Sequence, residues 1–396
     1  MKLSERARVM PNSPIRKLVP FADDAKRRGI KVFHLNIGQP DIPTPQCALD
    51  ALHRIDRTIL DYSPSQGILS LREALVRYYA GFGIRLTPEE ILVTTGGSEA
   101  VLFAFLCLLD PGDEIIVTEP FYANYKTMAL ACGATVKTIH TDIREGFRLP
   151  DVEEFEALVS PRTKAILICN PNNPTGYLYT REEMLRLRDI VKRHNLMLIS
   201  DEVYREFVYS DEPYLSAMNL EGIEDQVILV DSVSKRYSEC GIRIGALVTH
   251  NKEFYAAAMK LAQARLSPPL LGQLVAEASI DVPQSYLKGV YDEYIARRDF
   301  LMEGLRQIPG VVAPTPGGAF YAMVELPVED AEDFCKWCLT DFSWEGKTVM
   351  MAPGAGFYAT PGAGRNQVRM AYVLEKKELA EALIVLGKAL QAYNAR

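Results

Sequence analysis

Through the middle of the chain, short apolar runs recur, and each stops at a polar or small residue. Ile91–Thr95 leads into Gly96-Gly97-Ser98, Ile115–Thr118 into Glu119-Pro120-Phe121-Tyr122, and Ala165–Cys169 into Asn170-Pro-Asn-Asn-Pro-Thr-Gly176. Leu196–Ser200 stops at Asp201, and Val227–Val230 at Asp231-Ser232. Near-continuous apolar runs this short predict strands buried on both faces. Helical patterns fall between them. Thr180 and Glu183 form a capping box, apolar residues follow at 184, 187, 190 and 191, and Lys192-Arg193-His194 suit a last turn before Asn195. Strand–helix–strand alternation predicts an α/β fold, with a mostly parallel central sheet flanked by helices. Ligands of such sheets bind at the carboxyl ends of the strands, where these punctuating residues lie.

The pattern changes toward the C-terminus. Pro283–Gln307 is charged and helix-compatible, Gly317–Val324 and Thr348–Ala352 read as short strands, and Lys376–Tyr393 is amphipathic. These segments predict a second, smaller α+β domain over 281–396, joined by the N-terminal arm 1–45, beside a large domain over 46–280. Pro268-Pro269 marks a turn just before that boundary. A length of 396 residues agrees, since domains run to roughly 150 residues each.

With 48% hydrophobic and 24% charged residues, the chain is neither disordered nor fibrous. Its 44 basic against 51 acidic side chains leave a net charge of −7, which argues against nucleic acid or an anionic membrane as main partner. The apolar run Ala100–Leu109 is too short to cross a bilayer, and the first thirty residues hold no apolar stretch of signal-peptide length. The expected location is cytoplasmic. Seven cysteines, an odd number, are expected as thiols, and Cys335-Lys-Trp-Cys338 as helix packing. The five histidines form no H-x-x-x-H pair, so no metal site is expected.

Some literal motif matches fail on context. Gly354-Ala-Gly356 is followed by Thr360-Pro361-Gly362 where a dinucleotide-binding helix should open, and Gly346-Lys347-Thr348 lacks the opening glycine of a P-loop. Ser232-Val-Ser-Lys235 fits S-x-x-K, but no Lys-Thr-Gly follows. The strongest constellation surrounds that lysine: Ser232-Val-Ser234-Lys235, then Gly241-Ile-Arg243-Ile-Gly245, directly after a buried strand. An amine at a ligand edge can form a Schiff base once its pKa falls from about 10.4. Arg243 and the serines supply charge and donors for a phosphate or carboxylate.

This segment resembles the S-x-S-K-x-x-x-x-x-G-x-R-x-G signature of the class I/II aminotransferases, the fold-type I pyridoxal-phosphate enzymes. Other strand-end motifs follow the family in order: Asn36-Ile-Gly38-Gln-Pro-Asp41, Tyr62 with Gly67, Asn170–Gly176, Asp201-Glu-Val-Tyr204, and Arg369 in a Val-Arg-Met-Ala run. The resemblance spans nearly the whole chain. It implies pyridoxal 5'-phosphate as cofactor, held covalently by Lys235, which then serves as acid and base. Asp201 would pair with the ring nitrogen, although alone it reads as a helix cap. Tyr204 and Asn173 would bond the ring's phenolic oxygen, and Tyr122, which by itself could be core, would stack on the ring. Gly96, Gly97, Ser98, Ser232, Ser234 and Arg243 would bind the phosphate, although a tight turn alone explains the glycines.

Arg369, with Gly38 and Asn173 close by, would take the substrate α-carboxylate. In the family Tyr62 reaches the neighbouring subunit's phosphate, which implies a homodimer with shared sites. The implied reaction is ping-pong transfer of an amine from an L-amino acid, aspartate-like or another common one, to a 2-oxo acid such as 2-oxoglutarate. A carbon–sulfur β-lyase on the same scaffold and a non-catalytic cofactor-binding regulatory module are the alternatives, and the acidic charge speaks against the latter. Ile242 and Glu239-Cys240 depart from the family pattern and leave the side-chain pocket open. Arg265 can meet a substrate's distal carboxylate or sit at a surface or subunit contact.

Overall fold

The computed structural model describes residues 2–210 and 213–396. In chain order its strands are β1 (Lys31–His34), β2 (Ile91–Thr94), β3 (Glu114–Glu119), β4 (Thr135–His140), β5 (Thr163–Cys169) and β6 (Met197–Asp201). They continue with β7 (Val227–Ser232), β8 (Gly245–Val248), β9 (Tyr321–Glu325), β10 (Lys347–Met350), β11 (Ala352–Pro353) and β12 (Gln367–Ala371). Among the described residues, β2 to β8 make a seven-stranded sheet in the order β2-β8-β7-β6-β5-β3-β4. The ladders β3–β4, β3–β5, β5–β6 and β6–β7 are parallel, and β8 runs antiparallel to both its neighbours. This is the expected α/β architecture.

Successive strand residues face opposite sides, and both sides are covered. Ile115, Val117, Leu167, Ile228 and Val230 join a core that holds Phe103 and Phe105. Ile116, Ile166, Ile168 and Leu229 join the opposite core with Leu71, Met184 and Leu187. A sheet covered twice needs unbroken apolar runs, because a polar residue in either register meets a core. Each such aliphatic side chain contributes about 1.5–3 kcal/mol by leaving water.

The helix Arg181–His194 starts at the capping box of Thr180 and Glu183, buries Met184, Leu187, Ile190 and Val191, and ends at Asn195 with φ 52°. The apolar-run pattern misses β4 and β8. β4 is an edge strand with much of its length only half-buried, so Thr135, Lys137 and Thr138 break the run. β8 is short and opens on a glycine.

A three-stranded antiparallel sheet, β11-β12-β9, and a parallel pair, β1–β10, lie apart from the large sheet. β1 comes from the N-terminal arm, so both ends of the chain contribute to this part. The helices Gln284–Arg306 and Lys376–Asn394 pack together over it. Arg369 occupies the middle of β12, opposite Met323 on β9 and Ala352 on β11.

Candidate active site

Parallel pairing brings Cys169, Asp201 and Ser232 to one edge of the large sheet, at the carboxyl ends of β5, β6 and β7. A cavity of about 620 Å³ opens there. Its walls include Gly38, Gly97, Ser98, Tyr122, Asn173, Asp201, Tyr204, Ser232, Ser234, Lys235, Arg243 and Arg369. Of the residues singled out from the sequence, Gly96 stands just behind the wall. Tyr62 lies outside it, 77% exposed.

Lys235 sits in the one-turn helix Val233–Arg236, which begins directly after β7 and is capped by Ser232 through the Ser234 amide. Its Nζ donates to the Gly38 carbonyl at 2.8 Å and lies 3.8 Å from Cys240 Sγ. Gly38 has to be glycine, since a Cβ there would fall 1.8 Å from the Tyr321 hydroxyl.

Asp201 is 7% exposed and accepts from the Tyr125 hydroxyl at 2.6 Å. Burial lifts its carboxyl to about 6; the charges of Asp231 and Glu202 add to the lift, and the Tyr125 bond opposes it. Among the described residues no cation stands within ion-pair distance of it.

Arg369 is 1% exposed. Its Nη1 donates to Asn173 Oδ1 at 3.0 Å and its Nη2 to the Asn36 carbonyl at 2.7 Å, while Nε has no partner. Burial pulls its pKa down, the mark of a guanidinium without an anion. Tyr321 flanks it, with the guanidinium 4.4 Å from the ring centre. The Tyr321 hydroxyl is 3.0 Å from that of Tyr204, which Asn173 Nδ2 also reaches at 3.4 Å.

At the other end the helix Gly97–Leu108 points its first amides at the cavity, beside Ser98. Gly96 has φ +76°, and a Cβ there would strike the Arg243 guanidinium at 2.3 Å. Arg243 itself takes φ 57° and donates to the Cys240 carbonyl at 2.9 Å. The Ser232 hydroxyl lies 2.8 Å from that of Ser234. Tyr122 accepts from Asn124 at 2.7 Å and meets the Tyr125 ring edge-on at 5.4 Å.

Arg265 is not at the cavity. Its guanidinium is held by Glu99 at 2.6 Å and by the Ser65 carbonyl at 3.0 Å, so the distal-carboxylate reading of this residue is set aside. The sequence reading also missed Tyr321, Tyr125, Asn36 and Arg16. Tyr321 and Tyr125 are indistinguishable from core aromatics by pattern, and Arg16 lies in an arm without periodicity. Asn36 stood inside a quoted motif, but its role is made by its backbone.

Each corner fits a different part of one molecule. A buried, unpaired acid suits a protonated ring nitrogen, helix amides with Arg243 suit a phosphate, and the Lys235 amine suits an aldehyde. Fold and site together define a fold-type I pyridoxal-phosphate enzyme. The family model described as aminotransferase class I and II matches residues 30–386. The aspartate aminotransferase of Thermotoga maritima is 32% identical over 96% of this chain and 97% of its own. The aspartate/prephenate aminotransferase of Thermus thermophilus is 32% identical over 98% of this chain and 99% of its own. The solved structure of aspartate aminotransferase from Thermus thermophilus with maleate superposes with a TM-score of 0.89 at 30% identity, covering 98% of this chain and 100% of that one. The chain belongs to the class I and II aminotransferases and is a pyridoxal-phosphate-dependent transaminase.

Proposed function

We propose that this aminotransferase takes the amine of an L-amino acid, aspartate or another common one, and gives it to a 2-oxo acid such as 2-oxoglutarate in ping-pong order. The observation that carries this reading is the meeting of Lys235, a cation-free buried Asp201 and an anion-free buried Arg369 in one cavity. The names of the relatives support aspartate as donor.

Pyridoxal phosphate, when bound, supplies a ring that withdraws electrons from the substrate's α-carbon. The chain's own residues do the rest. Lys235 anchors the cofactor and takes the substrate α-proton at Nζ. Asp201 keeps the ring nitrogen protonated by offering it a carboxylate in a dry site, where an ion pair is strong. Tyr204 and Asn173 would bond the cofactor's phenolic oxygen, and Tyr122 would lie against its ring. Gly97, Ser98, Ser232, Ser234 and Arg243 at the wall, with Gly96 behind it, would hold the phosphate. Arg369 grips the α-carboxylate, using the Nε that the protein leaves unbonded, with Gly38 and Asn173 beside it.

The enzyme works as a cytoplasmic homodimer, with Tyr62 of each protomer completing its partner's phosphate site. The large domain spans 46–280, and 1–45 with 281–396 form the smaller one.

Lys235→Ala should lose the visible absorption of the covalently held cofactor, and with it turnover; unchanged absorbance and rate would refute the lysine assignment. A panel of amino acids, assayed with and without a 2-oxo acid, tests the reaction. Amine transfer should require the acceptor. Release of pyruvate and ammonia without one would replace transamination with β-elimination.

A further inference from the structure

We infer that Tyr321 is a positioning residue of the transaminase site: its hydroxyl donates to Tyr204 and so commits the one Tyr204 hydroxyl proton to the cofactor's phenolic oxygen. This rests on the role of Tyr204 proposed above and adds the residue that orients it.

Tyr321 opens β9, and its backbone is held on both sides. Before it, the Gly318 amide donates to the Gly176 carbonyl at 2.9 Å and the Ala319 amide to the Phe207 carbonyl at 2.8 Å. From Tyr321 onward β9 pairs with β12, Tyr321 opposite Ala371. The approach to Gly176 is so close that a Cβ there would fall 2.6 Å from the Tyr321 carbonyl oxygen. The side chain is fixed as well. It is buried, its ring meets that of Tyr204 edge-on at 5.5 Å, and the Arg369 guanidinium lies over its face. Gly38, where a Cβ would strike the hydroxyl, closes another side.

One proton decides the direction of the bond between the two hydroxyls. Arg369 Nη1 donates to Asn173 Oδ1, which turns the Asn173 amide nitrogen toward Tyr204, and there it donates at 3.4 Å. The Tyr204 oxygen is an acceptor in that contact, and its hydroxyl keeps one proton to give. The Tyr204 and Tyr321 oxygens are 3.0 Å apart, and either can be the donor. A Tyr204 that gave its proton to Tyr321 would have none for the cofactor. With Tyr321 as donor, the Tyr204 oxygen accepts from two neighbours and its own O–H is free for the cavity, which both tyrosines line. Bonds that feed one hydroxyl polarise it and strengthen its own donation.

Tyr321→Phe keeps the ring against Arg369 and removes only the hydroxyl. A donor on the phenolic oxygen favours loss of the proton that this oxygen shares with the Lys235 nitrogen. Without Tyr321 behind it Tyr204 donates less well, so the pH midpoint of the holoenzyme's visible absorption should rise. The expected rise is about 0.5 to 1 unit, or about 3- to 10-fold in proton affinity. Tyr204→Phe should raise the midpoint further, and adding Tyr321→Phe to that variant should raise it no more. No rise in Tyr321→Phe, or one that persists in full beside Tyr204→Phe, would overturn the assignment. Propionate, a probe of the Arg369 side, should bind the Tyr321→Phe holoenzyme within about 3-fold of its usual affinity. A loss of about 10-fold or more would put the hydroxyl on the carboxylate and overturn it too. An unmoved midpoint in Tyr204→Phe would refute the role of Tyr204, and this inference with it. Failure of the proposed amine transfer would show separately, since the titration needs no substrate and still decides the role of Tyr321.

Discussion

Glu239 is 3% exposed, accepts a hydrogen bond from the Ser279 hydroxyl, and has an Oε2 without a partner. Burial pushes its carboxyl up to about 8, and the more distant Arg236 charge does not offset this. Asp201 is lifted for the same reason, but its missing cation is expected from the cofactor, whereas nothing at the cavity can serve Glu239. The folded pKa lies above the ordinary value of 4.5, so the acid is buried without charge penalty at low pH. Between that value and about 8, stability falls by up to roughly 1.4 kcal/mol per pH unit as the unfolded chain ionises more readily. Glu239→Gln keeps an acceptor for Ser279 and never ionises. Its stability relative to the unsubstituted protein should therefore rise steadily from pH 5 to pH 8 in urea unfolding. A difference that stays flat over that window would show that Glu239 is ionised in the folded state.

The one-turn helix Val233–Arg236 is too short to hold Lys235 by its own hydrogen bonds. Its anchor is the end of β7. Asp231 accepts from Arg236 Nη1 at 2.9 Å, from the Tyr79 hydroxyl at 2.8 Å and from the Ser232 amide at 2.7 Å, with Arg205 Nη1 at 3.5 Å. Burial would raise this carboxyl, but the two guanidiniums outweigh it and hold it well below the usual carboxylate range. Asp231→Asn leaves Arg236 buried without its anion, and Arg205 with Glu202 alone. It should cost about 3–5 kcal/mol in chemical unfolding and weaken cofactor retention by loosening the lysine turn. A loss under about 1 kcal/mol, with cofactor held normally, would mean the helix is positioned by something else. At this scale the sequence was readable where an apolar run stops: Asp201 ends one, and Asp231-Ser232 ends another just before Ser234-Lys235. It was not readable where function comes from the partner of a side chain. Asp231 looked like a plain strand stop, and Tyr321 like core beside Phe320. Arg265 looked available because nothing in one dimension reveals that Glu99 faces it. β4 escaped because an edge strand tolerates polar residues that a central one does not.

Over the whole molecule, exposed apolar side chains gather on two neighbouring stretches. Leu49, Leu52, Ile59, Leu60, Tyr62 and Leu69 are 41% to 77% exposed, and Leu266 and Leu271 are 52% and 39% exposed. The helices Gln46–His53 and Leu270–Ile280 pack against each other, so these stretches are adjacent in space. An apolar face of this kind is what an isologous dimer contact would cover, and Tyr62 stands on it. If Tyr62 completes the partner's site, a variant without the lysine and one that binds cofactor weakly can repair each other. In a hybrid of Lys235→Ala with Tyr62→Ala, one site carries both lesions and the other carries neither. Tyr62→Ala alone should weaken cofactor binding about 10- to 100-fold, the loss of one hydrogen bond to a charged group. Assayed at limiting cofactor, an equal mixture that is dissociated and reassociated should therefore recover about a quarter of the unsubstituted activity, from one good site in the half of dimers that are hybrid. If Tyr62 served its own protomer's cavity, every site in the hybrid would carry a lesion and the mixture would recover nothing. No difference in exposure or stability between the variants can imitate that outcome, because neither parent homodimer contains an intact site to be rescued.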